Sequence, residues 1–269
     1  MIVGLFVNLF CKFVPSVMTT KNLLPVSISL FLLFLSGCAV TQPQNTPARE
    51  QHLRSSITSR GYWLYVPSNY NHNRPAPLIV TCHGTPPYDV ANHHIREWKM
   101  LAENNYCIVV APDLIGTDGL LGDGPVIGML ANEQIILSIL SELGYKYNID
   151  MANIMITGFS GGGFPTYWVG LRNPDTFSVV VARNCNFNES NLRDWYTPMA
   201  KDTKVMIYWG QNDPLTIKSQ SKRGLRFLKS RGFKFVHNHE IPGAGHERKP
   251  EVAMDFFLKN LATPRPSLK

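Results

Sequence analysis

A chain of 269 residues, 44% hydrophobic and 17% charged, has the size of one α/β domain and the make-up of a globular body with an added hydrophobic tail. Its formal net charge is +7, but the basic residues are scattered. Their one loose group, "KSQSKRGLRFLKSRGFK", falls at helical spacing and reads as a solvated face, which argues against a nucleic-acid partner.

The first element in chain order is the biased segment "KNLLPVSISLFLLFLSGCAV", residues 21–40. A basic Lys21 precedes an apolar run that is short for a spanning helix and ends in small residues, as an export signal does. Leu35-Ser36-Gly37-Cys38 resembles the lipobox of bacterial lipoproteins. That resemblance implies cleavage before Cys38 and lipid on its thiol. The other reading is an uncleaved signal anchor. The first 17 residues are themselves apolar, so Met18 reads as the better translation start. Residues 1–37 are thus expected to be a signal or export segment, and their loss takes the net charge from +7 to about +5 by removing Lys12 and Lys21. Residues 38–61, polar with Pro43 and Pro47, are expected to be a lipid-anchored tether. Ala39 after the cysteine is associated, within the same resemblance, with an outer membrane facing the periplasm or exterior.

The folded domain is expected to span 62–269. Strand-like runs recur as "YWLYVP" (62–67), "PLIVTC" (77–82), "YCIVVAP" (106–112), "NIMITG" (153–158), "FSVVVAR" (177–183), "KVMIYWG" (204–210) and "FKFVHNHEI" (233–241). Several are nearly continuous in Val, Ile and Leu, which suits strands covered on both faces. "NEQIILSILSELGYKY" carries Ile136, Ile139, Leu140 and Leu143 on one helical face, and "SKRGLRFLKSRG" and "EVAMDFFLKNLA" also fit helices. The alternation predicts a doubly wound, mostly parallel α/β sheet. Ligands in such a sheet gather where strands end.

Four strand ends carry chemistry. After "NIMI" comes "TGFSGGG", a G-x-S-x-G pattern in which Gly158 and Gly162 flank Ser160 on a strand-to-helix turn. Glycines relieve crowding there, and the Gly161 N–H and the helix N-terminus favour a developing oxyanion. No phosphate-loop spacing accompanies these glycines. After "LIVTC", His83-Gly84-Thr85 offers a second N–H at Thr85. After "YWG", Asp213 sits in "NDP", a sequence that also suits an ordinary turn. After the last strand, His246 sits in "PGAGHERKP". The order Ser160, Asp213, His246 is that of the α/β-hydrolase triad.

On these motifs the chain resembles the α/β-hydrolase superfamily over residues 62–262. Within it, "YVPSNYNHNRPAPLIVTCHG" and "NIDMANIMITGFSGGG" look like compact secreted esterases of the polyhydroxybutyrate-depolymerase and feruloyl-esterase kind. The resemblance implies a serine esterase. Ser160 is the nucleophile, His246 the base and Asp213 its orienting acid, with Gly161 and Thr85 as oxyanion donors. Small acyl esters or ester-linked polymer fragments are the expected substrates, and no cofactor or metal is required. About 20 residues, 184–203, separate the fifth and sixth of these strand runs, too few for a cap domain. Asn184, Asn186, Phe187, Trp195 and Tyr196 in that stretch either line the site or pack a surface loop. The glycine-rich loop 113–130 lacks the aspartate spacing of a calcium loop. Cys82, Cys107 and Cys185 read as buried small hydrophobes, with one disulfide as the alternative in an exported chain. Two further function classes stay open: a serine peptidase of the prolyl-oligopeptidase type, and a non-catalytic binding lipoprotein on a hydrolase scaffold.

Overall fold

The computed structural model describes residues 49–117, 126–192 and 196–262. The expected signal, Cys38, Asp118, Asp123 and Trp195 lie outside them.

The strands are β1 (Arg49–Arg54), β2 (Gly61–Val66), β3 (Ala76–Cys82), β4 (Ile108–Pro112), β5 (Ile149–Ser160), β6 (Val179–Cys185), β7 (Lys204–Gly210) and β8 (Phe235–Ile241). The helices are α1 (Ala91–Asn105), α2 (Val126–Lys146), α3 (Gly163–Arg172), α4 (Leu215–Ser230) and α5 (Pro250–Lys259). The strands form one sheet in the order β1-β2-β4-β3-β5-β6-β7-β8. β2 pairs antiparallel with both β1 and β4, and every pairing from β4 through β8 is parallel.

Alternation along the strands builds two cores, because successive side chains leave opposite faces. Leu78, Val80 and Cys82 of β3 join Ile136 and Ile139 of α2, Trp168 of α3 and Phe227 of α4. Ile79, on the other face, joins Ile95 and Trp98 of α1 and Met254 and Phe257 of α5. This is the doubly wound arrangement the periodicity predicts. Among the described residues, the β6–β7 connection holds short 3-10 turns at Glu189–Asn191 and Pro198–Asp202 and no cap domain.

One boundary is corrected. The expected tether, 38–61, overlaps β1, which pairs residue by residue with β2 from Arg49↔Val66 to Arg54↔Gly61. The sheet therefore begins at residue 49. β1 reads "REQHLR" and meets the sheet along one edge, so backbone hydrogen bonds rather than an apolar pattern define it. The turn that follows is also ordered: Glu142 of α2 accepts from Ser55 Oγ, Ser56 Oγ and the Ile57 N–H.

The cysteine alternative is settled for three residues: Cys82, Cys107 and Cys185 are unbonded and buried. Burial pushes the Cys82 and Cys107 thiols up to about 12 and raises Cys185 as well.

Candidate active site

β5 ends at Ser160, whose φ is 52°, a left-handed value uncommon outside glycine. The turn survives because its neighbours lack side chains. A Cβ on Gly162 would strike the carbonyl oxygens of Cys82 and His83, and one on Gly158 would strike the Thr166 hydroxyl and the Gly162 carbonyl. α3 begins at Gly163, so its N-terminus opens beside Ser160. Among the described residues, the Gly161 N–H makes no backbone hydrogen bond.

The loop after β3 lies against this turn. A Cβ on Gly84 would stand 3.2 Å from Ser160 Cβ, and one on Gly161 would stand 2.9 Å from Thr85 Oγ1. The Thr85 hydroxyl donates to the Thr117 carbonyl at 3.0 Å, and Thr117 Oγ1 donates to Gly84 O at 2.7 Å. His83 is structural. Its Nδ1–H donates to Gly84 O at 2.9 Å, while Nε2 accepts from the Leu114 N–H at 3.0 Å. Both ring nitrogens are occupied, and burial lowers the imidazole pKa below its ordinary value.

β7 ends at Gly210, and Asp213 follows with its side chain wholly buried. β8 ends at Ile241, and His246 follows in the loop before α5. His246 Nδ1 stands 2.7 Å from Asp213 Oδ1. A carboxylate only accepts, so Nδ1 carries the proton and Nε2 is left as the basic nitrogen. The His246 ring packs on Phe159 with centroids 4.6 Å apart, which sets it beside the residue before Ser160. Ser160 and His246 line one cleft of about 1070 Å³, together with Thr85, Tyr88, Phe159, Asn186, Ile217 and Arg248. The Ser160 hydroxyl makes no hydrogen bond among the described residues.

The histidine loop is pinned from beneath. Asn184 Nδ2 donates to Gly245 O at 3.3 Å and to Glu247 O at 2.8 Å, on either side of His246. Tyr208 OH donates to Arg248 O at 3.1 Å and Lys249 O at 2.6 Å. Asn212 N–H donates to Ala244 O at 2.8 Å.

Of the expected substrate residues, Asn186 lines the cleft and donates to Gln220 Oε1 at 3.1 Å. Asn184 and Phe187 do not line it. Asn184 is fully buried with a φ of 49° and serves the histidine loop. Phe187 is buried between Tyr167 and Phe227, at centroid distances of 5.1 and 5.6 Å. Sequence reasoning missed Gln220, Tyr88, Asp89, Glu97 and Arg248, which also border the cleft. Only "HERKP", two residues past His246, held a signal for Arg248.

No family model matches the chain. It is 28% identical over 139 residues to a dipeptidyl-peptidase 5 of Porphyromonas gingivalis, covering 47% of this chain and 19% of that protein. It is 32% identical over 117 residues to a bifunctional acetylxylan esterase/xylanase of Neocallimastix patriciarum, covering 42% of this chain and 16% of that one. The chain thus spans less than a fifth of the length of these curated relatives. Among solved structures, a ferulic acid esterase from Anaeromyces mucronatus superposes with a TM-score of 0.61 at 18% identity, over 80% of this chain and 90% of that one. The fold is that of the α/β-hydrolases.

Proposed function

We propose that the chain is a serine hydrolase that cleaves carboxylic esters through an acyl-enzyme on Ser160. The observation that carries this reading is the juxtaposition at one rim of the sheet: His246 Nδ1 sits 2.7 Å from a buried Asp213, and Ser160 sits on a strained turn in the same cleft.

The roles follow from the geometry. Asp213 holds the imidazole in the tautomer that leaves Nε2 basic. As Ser160 Oγ attacks the ester carbonyl carbon, its proton passes to His246 Nε2. The carbonyl oxygen becomes an oxyanion held by the N–H groups of Gly161 and Thr85, each worth roughly 3–4 kcal/mol of barrier. Collapse breaks the C–O bond, and His246 returns the proton to the departing alcohol. Water then attacks the acyl-enzyme with His246 as base and frees Ser160. Phe159, Ile217 and Tyr88 give the cleft apolar walls, and Asn186 and Gln220 place polar groups among them, which suits small acyl esters or fragments of an ester-linked polymer. This chemistry draws on the chain's own residues.

Export with a lipid anchor at Cys38 belongs to the same proposal, and its support is the sequence of residues 21–40. Membrane fractionation of Cys38→Ala tests it. Release into the soluble fraction is expected, and unchanged retention overturns the lipid anchor.

The likeness to a dipeptidyl-peptidase favours a second reading, amide hydrolysis with the same three residues. Labelling with a fluorophosphonate, paired with p-nitrophenyl acetate and butyrate hydrolysis, tests the main proposal. Wild type is expected to label and turn over, and Ser160→Ala to do neither. Equal rates for the two would remove Ser160 as nucleophile. Faster turnover of dipeptidyl amides than of aryl esters would replace the esterase reading with the peptidase one.

A further inference from the structure

Behind the cleft, five side chains from four parts of the chain close a ring. Asp89 lies in the loop after β3, His94 and Glu97 lie on one face of α1, Arg183 lies on β6, and Arg248 lies in the histidine loop. Asp89 Oδ2 accepts from His94 Nε2 at 2.8 Å, and Asp89 Oδ1 accepts from Arg248 Nη2 at 2.6 Å. Arg248 Nε stands 3.4 Å from Glu97 Oε2, an ion pair without hydrogen-bond alignment. Glu97 Oε1 accepts from Arg183 Nη1 at 2.6 Å, and Arg183 Nη2 reaches His94 Nδ1 at 3.2 Å.

His94 sits in the middle of the ring: Nε2 faces Asp89, and Nδ1 faces both the Thr81 hydroxyl at 2.7 Å and Arg183 Nη2. Two carboxylates balance two guanidiniums, which is how a buried ring of this kind avoids an uncompensated charge. Arg183 and His94 are wholly buried, and Asp89 and Glu97 nearly so. Arg248 is the most exposed of the five, and its guanidinium lies 5.2 Å above the Phe159 ring.

Two further bonds tie the ring to the loops around Ser160. Asp89 Oδ2 accepts from the Gly84 N–H at 2.7 Å, one residue before the Thr85 donor. Arg183 Nη1 donates to Arg248 O at 3.3 Å, two residues past His246. We propose that Asp89 and Arg248 are positioning residues that lock the His83–Asp89 loop to the histidine loop, so that the oxyanion donors and the base are held as one unit. This rests on the hydrolase reading for its catalytic consequence, though not for the coupling itself. Neither side chain does chemistry. Each acts through backbone that carries a group that does. A displacement near 1 Å in such groups costs on the order of 10²-fold in rate.

The test uses the full chain as wild type, Asp89→Asn, Arg248→Met, Arg248→Lys and the double variant Asp89→Asn/Arg248→Met. The first readout is hydrogen–deuterium exchange in peptides covering 83–89 and 243–249. The second is steady-state hydrolysis of p-nitrophenyl butyrate. Either Asp89→Asn or Arg248→Met is expected to speed exchange in both segments, including the loop that was not altered. Each is expected to lower kcat about 10²-fold with KM little changed. The double variant is expected to be no worse than the worse single one, because both break the same link. Arg248→Lys keeps the charge but cannot span Asp89 and Glu97 together, so it is expected to behave like Arg248→Met. Exchange that rises only in the altered loop, kinetic losses that multiply in the double variant, or full activity in Arg248→Lys would each overturn the proposal. Arg248 is partly exposed, so its variants keep the test open if Asp89→Asn does not fold. A wild type that neither labels nor turns over removes the hydrolase reading, and the exchange data then decide the coupling alone.

Discussion

Replacing Asn184 by glycine and by alanine separates two things its side chain and backbone do. Its Nδ2 donates to Gly245 O and Glu247 O, and its φ of 49° is one that glycine adopts freely and alanine does not. Two lost hydrogen bonds at about 1 kcal/mol each give about 2 kcal/mol for Asn184→Gly. The loss is held to that because truncation also removes Oδ1, which has no partner. Asn184→Ala adds the left-handed strain of a Cβ, roughly 1 kcal/mol more. For a domain of this size, Asn184→Gly is expected to lower Tm by roughly 4–8 °C, and Asn184→Ala by a few degrees beyond that. Both free the backbone on either side of His246, so kcat for an aryl ester is expected to fall about 10²-fold in each with KM unchanged. Differential scanning calorimetry and steady-state kinetics on the two variants read both quantities. A raised KM with kcat and Tm intact would place the Asn184 amide against substrate and refute this account.

Other perturbations test the scaffold. Gly162→Ala drives a Cβ into two backbone carbonyls and is expected to destabilise at the upper end of the roughly 1–3 kcal/mol of overpacking. Gly144→Ala, in α2 with nothing near its Cβ position, is expected to stabilise by roughly 0.5–1 kcal/mol, and urea denaturation compares the pair. Burial alone would push the Asp89 carboxyl up, but the bonds from His94, the Gly84 N–H and Arg248 outweigh it and hold it well below the usual carboxylate range. A depressed folded-state pKa means stability that is full above the unfolded value near 3.9 and is lost as pH falls below it. The Tm of wild type is thus expected to drop below about pH 4 more steeply than that of Asp89→Asn. With thiolates suppressed by burial, Cys82, Cys107 and Cys185 are expected to resist iodoacetamide in the native chain and to react once unfolded, as read by mass spectrometry.

The strand ends were legible because their chemistry is local. Gly158 and Gly162 are required by backbone atoms a few residues away or directly beneath the turn, so the pattern survives in the linear text. The doubly wound sheet was legible from near-continuous apolar strands such as "IVVAP". β1 was not, because "REQHLR" is set by pairing to β2 at one edge and shows little alternation. Asn184 and Phe187 read as loop residues near a site. What decides their roles is a positive φ in one case and packing against Tyr167 and Phe227 in the other, and neither leaves a mark in sequence. Asp89 and Arg248, 159 positions apart, meet only once the fold exists.

β1 enters the sheet with Arg49 level with Val66, near the start of β4, and runs toward the end where Ser160 and His246 lie. The first described residue therefore stands at the back of the domain and at its flank. Whatever joins the sheet at residue 49 therefore meets it at the end remote from the cleft that Ser160 and His246 line.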